Sequence, residues 1–140
     1  MPFRYLPDIA LADIAFEADS ETVDGLFESS AMAVTDVMVD PASLESAVSR
    51  KLSVASESLD TLLYDFLTQI IVLKDLDSLL FREVEVNVAP DMKSLEASLR
   101  GEAIDRERHS LRNDVKAVTM HMFGVRREGG KWRATVVLDI

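Results

Sequence analysis

The sequence predicts an α+β fold in which two helices pack on a mixed or antiparallel sheet. Two stretches carry apolar residues at helical spacing, and six other stretches are interpreted as strands. Their order along the chain is strand, helix, strand, helix and then four strands. No linker or low-complexity segment interrupts this order, and 140 residues is an ordinary size for one domain. We therefore expect residues 1–140 to form a single domain.

The first predicted elements are a strand and an amphipathic helix. Residues 11–18 alternate so that one face is fully apolar, as in a half-buried strand. Ser20 is a suitable N-cap, and residues 21–39 then repeat apolar side chains at helical spacing. Pro41 follows, and because a residue before proline disfavours the helical conformation, we expect the helix to end there.

The next pair of elements repeats this order less clearly. Residues 44–56 are a weaker strand candidate, in which two apolar positions alternate with polar ones. Ser58 is a second N-cap, and the helix that it begins is predicted to run to about residue 75. Residues 66–73 are apolar on most sides, so this half of the helix should be buried against both the sheet and the first helix.

Four strands are predicted in the remainder of the chain. The turn residues Pro90-Asp91 and 128–130, the latter reading Glu-Gly-Gly, separate two pairs of them. Trp132 begins the closing strand, which should pair with the preceding one as a hairpin. The four predicted strands are residues 83–88, 92–104, 114–125 and 132–140.

The composition excludes several classes of protein. The chain has no cysteine, which excludes disulfides, thiolate zinc sites and cysteine nucleophiles. It has no signal peptide and no apolar run near the roughly 20 residues of a membrane span, so we expect a cytoplasmic protein without membrane contact. The net charge of −10 disfavours strong direct binding of nucleic acid, because phosphates are neutralised by lysine and arginine. A cation or a basic partner is a better complement, although the acidity could also serve solubility alone.

The motifs of common enzymes are missing from the sequence. The two histidines, His109 and His121, have no recognisable triad setting, and there is no Gly-x-Ser-x-Gly elbow. The five glycines form no phosphate-binding loop at the start of a helix. A nucleophilic hydrolase and a nucleotide-hydrolysing enzyme are therefore improbable.

Two aspartates interrupt strands that are otherwise apolar. Asp13 lies in the first predicted strand, and Asp139 lies beside Ile140 at the end of the last one. Such carboxylates are costly in an apolar setting unless they are paired or bind a cation, and hard cations prefer several oxygen ligands. The alternative is that both aspartates are solvent-exposed, as isolated acidic residues mostly are. From spacing alone both interpretations stay open.

Other candidate residues have equally simple alternatives. Lys116 alternates with apolar residues, so it is either a buried lysine with an anionic partner or a solvated one on the outer face. His109 follows three charged residues and is expected in a polar loop. Met120 and Met122 share a strand face and are expected to be core or covered surface rather than a pair of metal ligands.

Taken together, these positions resemble the archease family over essentially the whole chain. The chain opens with Pro-Asp-Ile-Ala-Leu-Ala-Asp-Ile-Ala-Phe at 7–16 and closes with Val-Val-Leu-Asp-Ile at 136–140. The other segments that carry the resemblance lie between these in the family's order: residues 26–33, 62–67, 101–102 with His109, and 114–119.

The resemblance implies a fold, a partner and a site. Archeases are built from two copies of a strand–helix–strand–strand module, and they activate the RtcB-type RNA ligase that joins tRNA halves after intron removal. They promote guanylylation of the ligase and its multiple turnover without being enzymes themselves. They bind a divalent cation, calcium, and the family's ligands fall here on Asp13, Asp139 and Ile140. A functional lysine of the family corresponds to Lys116.

One departure from the family pattern concerns the acidic residues near the first strand. Many relatives read Asp-His-Thr-Ala-Asp where this chain reads Ile-Ala-Leu-Ala-Asp, so that the earlier acid is displaced to Asp8. Glu21 stands where relatives often carry another acid. Two functions from other classes remain as alternatives, namely a stand-alone metal-dependent hydrolase that uses Asp13 and Asp139, and a general chaperone-like protein.

Overall fold

The computed structural model describes residues 2–6 and 13–140. Within these residues, seven strands and two α-helices are formed, and a short 3₁₀ turn, Pro41–Ser43, follows the first helix. In chain order the elements are β1 (Phe3–Tyr5), β2 (Asp13–Ser20), α1 (Val23–Met38), β3 (Val48–Ala55), α2 (Leu59–Asp77), β4 (Leu79–Val88), β5 (Ser94–Ala103), β6 (Ala117–Glu128) and β7 (Lys131–Asp139). None of the helices in the described part of the chain is long and apolar enough to cross a membrane.

The predicted α+β class is confirmed, and the strands are divided between two sheets. One sheet has the order β1-β2-β7-β6 and the other has the order β3-β5-β4. Every neighbouring pair is antiparallel. Periodicity shows which face of a strand is apolar but not which strands are neighbours, and for this reason the sequence did not separate the two sheets.

The molecule contains one structural unit twice. β3, α2, β4 and β5 form a strand–helix–strand–strand unit with the strand order β3-β5-β4, which we call the inserted copy. β2, α1, β6 and β7 form the same unit with the order β2-β7-β6, which we call the outer copy. The inserted copy lies between α1 and β6 in the sequence. The two helix starts also match, since residues 20–24 read Ser-Glu-Thr-Val-Asp and residues 56–60 read Ser-Glu-Ser-Leu-Asp.

The helix caps follow this match. The Ser58 hydroxyl accepts a hydrogen bond from the Thr61 amide, and the Thr61 hydroxyl accepts one from the Ser58 amide, so the predicted cap of α2 is confirmed. The predicted cap of α1 is wrong by two residues, because Thr22 is the N-cap and its hydroxyl accepts from Gly25. Ser20 remains in β2, where it pairs with Trp132.

The two copies share one hydrophobic core. Phe27 of α1 and Phe66 of α2 are fully buried, and their ring centroids lie 5.9 Å apart. The core cluster continues from these rings into strands of both sheets, including Phe16 and Leu138 on one side and Leu99 on the other. Burial of aromatic side chains contributes strongly to stability, so the two copies should depend on each other for folding.

Side chains of each helix also form hydrogen bonds with main-chain groups at the outer edge of a strand in the other copy. In α1, the carboxylate of Asp24 accepts a hydrogen bond from the Val88 amide of β4 at 2.8 Å. In α2, the carboxylate of Asp60 accepts from the Val125 amide of β6 at 3.2 Å, and the Tyr64 hydroxyl donates to the Val118 carbonyl. Asp24 and Asp60 occupy matching positions in the two helices, so each copy covers a strand edge of the other in the same way.

The largest local departure from the duplicated pattern lies in β6. Thr119 pairs with Val137 and Gly124 pairs with Thr135, so four residues of β6 stand opposite one residue of β7. We call residues 120–123 the β6 excursion. Met120 is 64% exposed and Met122 is 53% exposed, the latter with a positive φ of 56°. The expectation that both methionines are core or covered is wrong for the isolated chain, since period-2 alternation does not continue through an excursion.

The ends of several predicted strands also differ. β1 was not predicted, because three residues are too few for a pattern to be recognised. β6 begins at Ala117 rather than at residue 114, and it extends to Glu128. The predicted turn between the last two strands is confirmed, with Gly129 and Gly130 at φ values of 60° and 78°. Such values suit a two-residue hairpin turn, in which glycine is favoured.

Candidate functional site

The register of β2 and β7 places the two candidate aspartates directly opposite each other. Asp13 is the Cα partner of Asp139, and the pairing continues without a shift to Ser20 and Trp132. Side chains that are directly opposite in an antiparallel pair have Cβ atoms about 4.5–5.5 Å apart. The expectation that Asp13 and Asp139 lie together is therefore confirmed, although nearly the whole chain separates them in sequence.

The acidic pair lies at the end of the sheet, where solvent reaches it. Asp13, Asp139 and the adjacent Ile140 are all partly exposed. Directly opposed like charges destabilise a sheet. A bound cation is one means of offsetting this cost, and solvent screening is the other.

The donor chemistry of the pair suits a hard divalent cation. Calcium and magnesium prefer carboxylate, carbonyl and water oxygens. In the part of the chain that the structure describes, no group of three or more His, Cys, Asp or Glu side chains is arranged to hold a metal. A cation at Asp13 and Asp139 would therefore complete its coordination with main-chain oxygen or water.

The third strand of the site contributes a main-chain contact. Ala117 of β6 pairs with Asp139 from the side opposite Asp13. The amide of Lys116 donates a hydrogen bond to the Asp139 carbonyl at 2.8 Å. The Lys116 side chain is exposed, which agrees with the solvated alternative considered from the sequence. Lys116 thus adjoins the acidic pair through its backbone.

A cavity of about 430 Å³ opens beside Asp13. Its polar lining includes Tyr5, Asp36 and Arg112. The Tyr5 hydroxyl donates to the Asp36 carboxylate at 2.5 Å, and Arg112 donates to the same carboxylate at 3.0 Å. Partial burial and the hydrogen bond to Asp36 raise the pKa of Tyr5 above its ordinary value. The sequence did not predict this cluster, because its three members come from distant parts of the chain.

The segment that connects the two copies forms one wall of this cavity. We call residues 104–116 the crossing segment, since they run from β5 of one sheet to β6 of the other. The amides of Arg112 and Asn113 donate to the carbonyls of Met38 and Val37 at the end of α1. These carbonyls are orphan acceptors at a helix C-terminus, so the crossing segment satisfies them.

His109 anchors the crossing segment. Its Nδ1 accepts a hydrogen bond from the Asp105 amide at 3.0 Å, and its Nε2 lies 2.7 Å from the Glu102 carboxylate. His109 is only 5% exposed, so the expectation of an ordinary polar loop histidine is wrong. The flanking charged residues predicted solvent exposure, but its long-range partner Glu102 could not be identified from them.

Glu102 is the centre of this anchor. It accepts hydrogen bonds from both Arg108 and the Glu45 amide. These bonds, with the one to Arg108 foremost, lower the pKa of Glu102 to about 2. The preceding residue must be glycine, because a Cβ at Gly101 would lie 1.9 Å from the Leu80 carbonyl oxygen. This close approach explains why Gly-Glu stands together at this point.

The buried lysine of the molecule is Lys74 in α2, and the sequence did not single it out. Lys74 is 7% exposed, and its ammonium group donates to Asp114 at 2.5 Å and to the Val115 carbonyl at 2.6 Å. Burial opposes its charged form, but hydrogen bonds with Asp114 and Asp75 outweigh burial and raise the pKa of Lys74. Lys74 therefore holds the second end of the crossing segment, just before Lys116.

The remaining candidate acids do not join the pair. Asp8 lies outside the described residues. Glu21 is exposed in the connection between β2 and α1, at the opposite end of β2 from Asp13. The structure thus brings Asp13, Asp139, Ile140 and the backbone of Lys116 together, and it places His109 in the anchor of the neighbouring segment.

Comparison with known proteins gives consistent matches along the chain. The model of the Archease protein family (MTH1598/TM1083) matches residues 3–140. Protein archease from Pyrococcus abyssi is 35% identical over 132 residues, which cover 92% of this chain and 93% of that protein. Protein archease from Methanothermobacter thermautotrophicus is 35% identical over 131 residues, with the same coverage of both chains.

Two solved structures share the fold. The solution structure of Methanobacterium thermoautotrophicum protein 1598 superposes with a TM-score of 0.82 at 31% identity, covering 99% of both chains. The crystal structure of a Thermotoga maritima protein described as an archease and possible chaperone has a TM-score of 0.65 at 18% identity, covering 94% of this chain and 93% of that one. At that identity the second match supports the fold alone.

Proposed function

The chain belongs to the archease family, and on that premise we propose that it is a non-catalytic accessory protein that activates an RNA ligase of the RtcB type. In this proposal it promotes guanylylation of the ligase during tRNA splicing and allows multiple turnovers. The proposal extends what the family resemblance implies to this chain. Its main support from the structure is the acidic pair formed by Asp13 and Asp139.

The acidic pair is an unusual feature for a sheet to retain. Asp13 and Asp139 are direct cross-strand partners. Their mutual repulsion lowers stability unless an ion, a basic surface or solvent screening offsets it. Since the fold does not need a carboxylate at either position, the pair is better explained by a role in binding than by a role in folding.

We propose that a divalent cation, calcium, is held by Asp13, Asp139 and a main-chain oxygen of Ile140. When bound, the cation neutralises the carboxylates and orders the end of β7. With few protein ligands, the affinity should be modest and water should complete the coordination. The exposed end of the sheet would then present a charged tip to the basic cleft in which a ligase binds RNA phosphates.

The test is a time course of guanylylation of the cognate ligase with and without this protein. Asp13→Asn and Asp139→Asn should each abolish the stimulation while the variants remain folded. Asp77→Asn is the matched control, because it removes the same charge from an exposed position at the end of α2. Stimulation that is equal for all three variants would exclude the acidic pair from the activity.

The same experiment separates the proposal from a stand-alone hydrolase. An accessory protein should have no effect on RNA or on phosphate esters until the ligase is added. A metal-dependent hydrolase would act alone, and it would lose activity in Asp13→Asn whether or not the ligase is present. Calorimetric titration with calcium would show whether the two aspartates bind the ion directly.

A chaperone-like function is the second candidate, and the β6 excursion favours it. Met120 and Met122 are exposed apolar side chains on a segment that β7 does not pair. Methionine adapts to varied apolar surfaces, as client binding requires. If this function is the correct one, the protein should suppress aggregation of unrelated proteins, and replacing both methionines with serine should remove that effect.

A further inference from the structure

The sheet edges of the molecule are protected in different ways. In the described part of the chain, β1 and β6 are the outer strands of one sheet, and β3 and β4 are the outer strands of the other. Side chains of α1 and α2 bond to main-chain groups of β4 and β6. β1 has only three residues, whereas β3 has eight. The long outer edge of β3 is therefore the one without a neighbouring strand or a helix bonded to it in the described residues.

The duplicated fold shows what can occupy such an edge. β3 in the inserted copy corresponds to β2 in the outer copy, and the outer edge of β2 is covered by β1. β1 runs antiparallel to β2 and pairs Phe3 with Ala18. With the matched helix starts aligned, Phe16 and Ala18 of β2 correspond to Leu52 and Val54 of β3. The inserted copy has no counterpart of β1 among the described residues.

Burial at the matching positions reflects this difference. Phe16 and Ala18 are fully buried in the core, on the strand that β1 covers at its edge. Leu52 and Val54 point to the same side of their sheet but remain only partly buried. Phe3 of β1 enters the core beside Ala18 with 9% exposure. A strand added to β3 with an apolar residue in the place of Phe3 would likewise cover Val54.

The charges along β3 indicate the chemistry of the added strand. Arg50 and Lys51 are exposed in the middle of this edge, in a chain with a net charge of −10. Basic side chains on an edge strand oppose pairing with an identical edge, since the like charges would meet. Lys51 shares the face of Ser53, opposite Leu52 and Val54, and on this face it attracts glutamate or aspartate of an incoming strand.

We propose that the outer edge of β3 binds an extended acidic segment of another polypeptide by antiparallel strand addition. The segment alternates apolar residues, which cover Leu52 and Val54, with acidic residues, which face Lys51 and Ser53. Main-chain hydrogen bonds give such complexes their affinity and the alternate side chains give them specificity. This proposal is independent of the ligase, because it concerns a different surface from the acidic pair.

The main-chain groups that would take part follow from the outer copy. In β2, the Ala15 carbonyl accepts from the Leu6 amide and the Asp19 amide donates to the Pro2 carbonyl, both at 2.8 Å. Odd-numbered residues of β2 therefore bond to β1 and to the residues that flank it. The corresponding residues of β3 are Lys51, Ser53 and Ala55, whose amides should be open to solvent in the free protein.

Hydrogen exchange followed by NMR tests both parts of the proposal. In the free protein, the amides of Lys51, Ser53 and Ala55 should exchange much faster than those of Leu52 and Val54. A blocked peptide of sequence Thr-Phe-Glu-Val-Glu-Thr should slow the three open amides and shift their resonances. The same peptide with lysine in place of glutamate should bind about fivefold more weakly, the upper range for an exposed ion pair.

Two substitutions at one position supply the structural control. Ser53→Pro removes the outward N–H, a change that an edge strand tolerates, and it should abolish peptide binding. Ser53→Ala keeps the N–H and loses the same hydroxyl contact with Glu96, so it should bind normally. Lys51→Glu should weaken binding of the acidic peptide by about fivefold and favour the lysine peptide.

Several results would overturn the proposal. These are slow exchange of Lys51, Ser53 and Ala55 in the free protein, no binding of the acidic peptide at millimolar concentration, or equal binding by the Ser53→Pro and Ser53→Ala variants. Concentration-dependent self-association that Ser53→Pro removes would instead identify a second copy of this chain as the occupant of the edge.

Discussion

The two copies of the structural unit have the same topology but different residues at the end of their paired strands. In the outer copy, Asp13 of β2 faces Asp139 of β7. The matching positions of the inserted copy hold Ser49 of β3 and Arg100 of β5, which also face each other. The same frame therefore folds with and without a carboxylate pair. The pair is a property of these two residues and not a requirement of the sheet.

A substitution in the core that the two copies share should have the largest effect on stability. Phe66 is fully buried in α2 and packs on Phe27 of α1. Phe66→Ala should lower the free energy of unfolding by about 3–5 kcal/mol because it leaves a cavity in the shared core. Denaturant unfolding measures the loss, and hydrogen exchange should show both sheets weakened together. Leu76→Ala is the control, since Leu76 is 78% exposed and its loss should cost less than about 0.5 kcal/mol. Weakening of only the inserted copy would show that the copies fold independently.

Leu138 and Asp139, two neighbouring residues of β7, should separate an effect on folding from an effect on cation binding. Leu138 is fully buried, so Leu138→Ala should lower the free energy of unfolding by about 2–5 kcal/mol. Asp139 is partly exposed, and in the presence of a chelator Asp139→Asn should change stability by no more than about 0.5 kcal/mol. Calcium at about 100 times its dissociation constant should stabilise the wild type by roughly 2.7 kcal/mol and should not stabilise Asp139→Asn.

Thermal unfolding with calcium and with chelator measures these differences. A chelator that unfolds the wild type would mean that the metal is structural. Equal stabilisation of the wild type and Asp139→Asn by calcium would place the cation elsewhere.

Acid should lower the stability of the protein through Glu102, a residue of the inserted copy. The pKa of Glu102 is lowered in the folded state to about 2, from an ordinary 4.5, by its hydrogen bonds with Arg108, Glu45 and His109. A lowered folded pKa contributes stability above the unfolded value, and that contribution is lost as the pH falls from about 4.5 to about 2. The denaturation midpoint of the wild type should decline in this window. Glu102→Gln should be less stable at neutral pH and decline less; an identical decline in both proteins would assign the acid sensitivity to other carboxylates.

The smallest expected effect comes from transferring the acidic pair to the inserted copy. The double variant Ser49→Asp with Arg100→Asp places two carboxylates at the matching positions. We expect calcium to stabilise the fold of this variant by no more than about 0.5 kcal/mol. Gly101, which follows residue 100, offers no side-chain ligand, and the nearby carboxylate of Glu102 is already bonded to Arg108. The effect is measured by calcium titration of the double variant in a protein that also carries Asp139→Asn. The control carries Ser49→Asn and Arg100→Asn in the same background. A full calcium site would show that two opposed aspartates suffice.

The sequence predicted the elements that have enough residues to form a pattern. Both helices, the cap at Ser58 and the closing hairpin at Gly129 and Gly130 follow from local chemistry. β1 was missed because it has three residues, and the start of β4 was missed because Leu79, Leu80 and Phe81 are all buried and do not alternate. The division into two sheets depends on contacts between distant residues, which periodicity does not report.

The candidate site was predicted in part for the same reason. Asp13 and Asp139 were identifiable because each interrupts an apolar strand, and the family resemblance added the expectation of a cation. The cluster of Tyr5, Asp36 and Arg112 has no such local signal. The charged residues before His109 predict a solvent-exposed side chain, but His109 is buried because its partner Glu102 lies on β5 and not in that polar run.

The place at which the inserted copy joins the outer copy bears on how such a molecule can evolve. Val48 and Gly101 are cross-strand partners, so the chain enters and leaves the inserted copy at neighbouring points. A duplicated gene segment whose ends are adjacent in space can be placed between α1 and β6 in a single recombination event without separating the host strands. After that event, each copy would be free to acquire its own substitutions, and the divergence of Asp13 and Asp139 from Ser49 and Arg100 is the outcome expected of such a history.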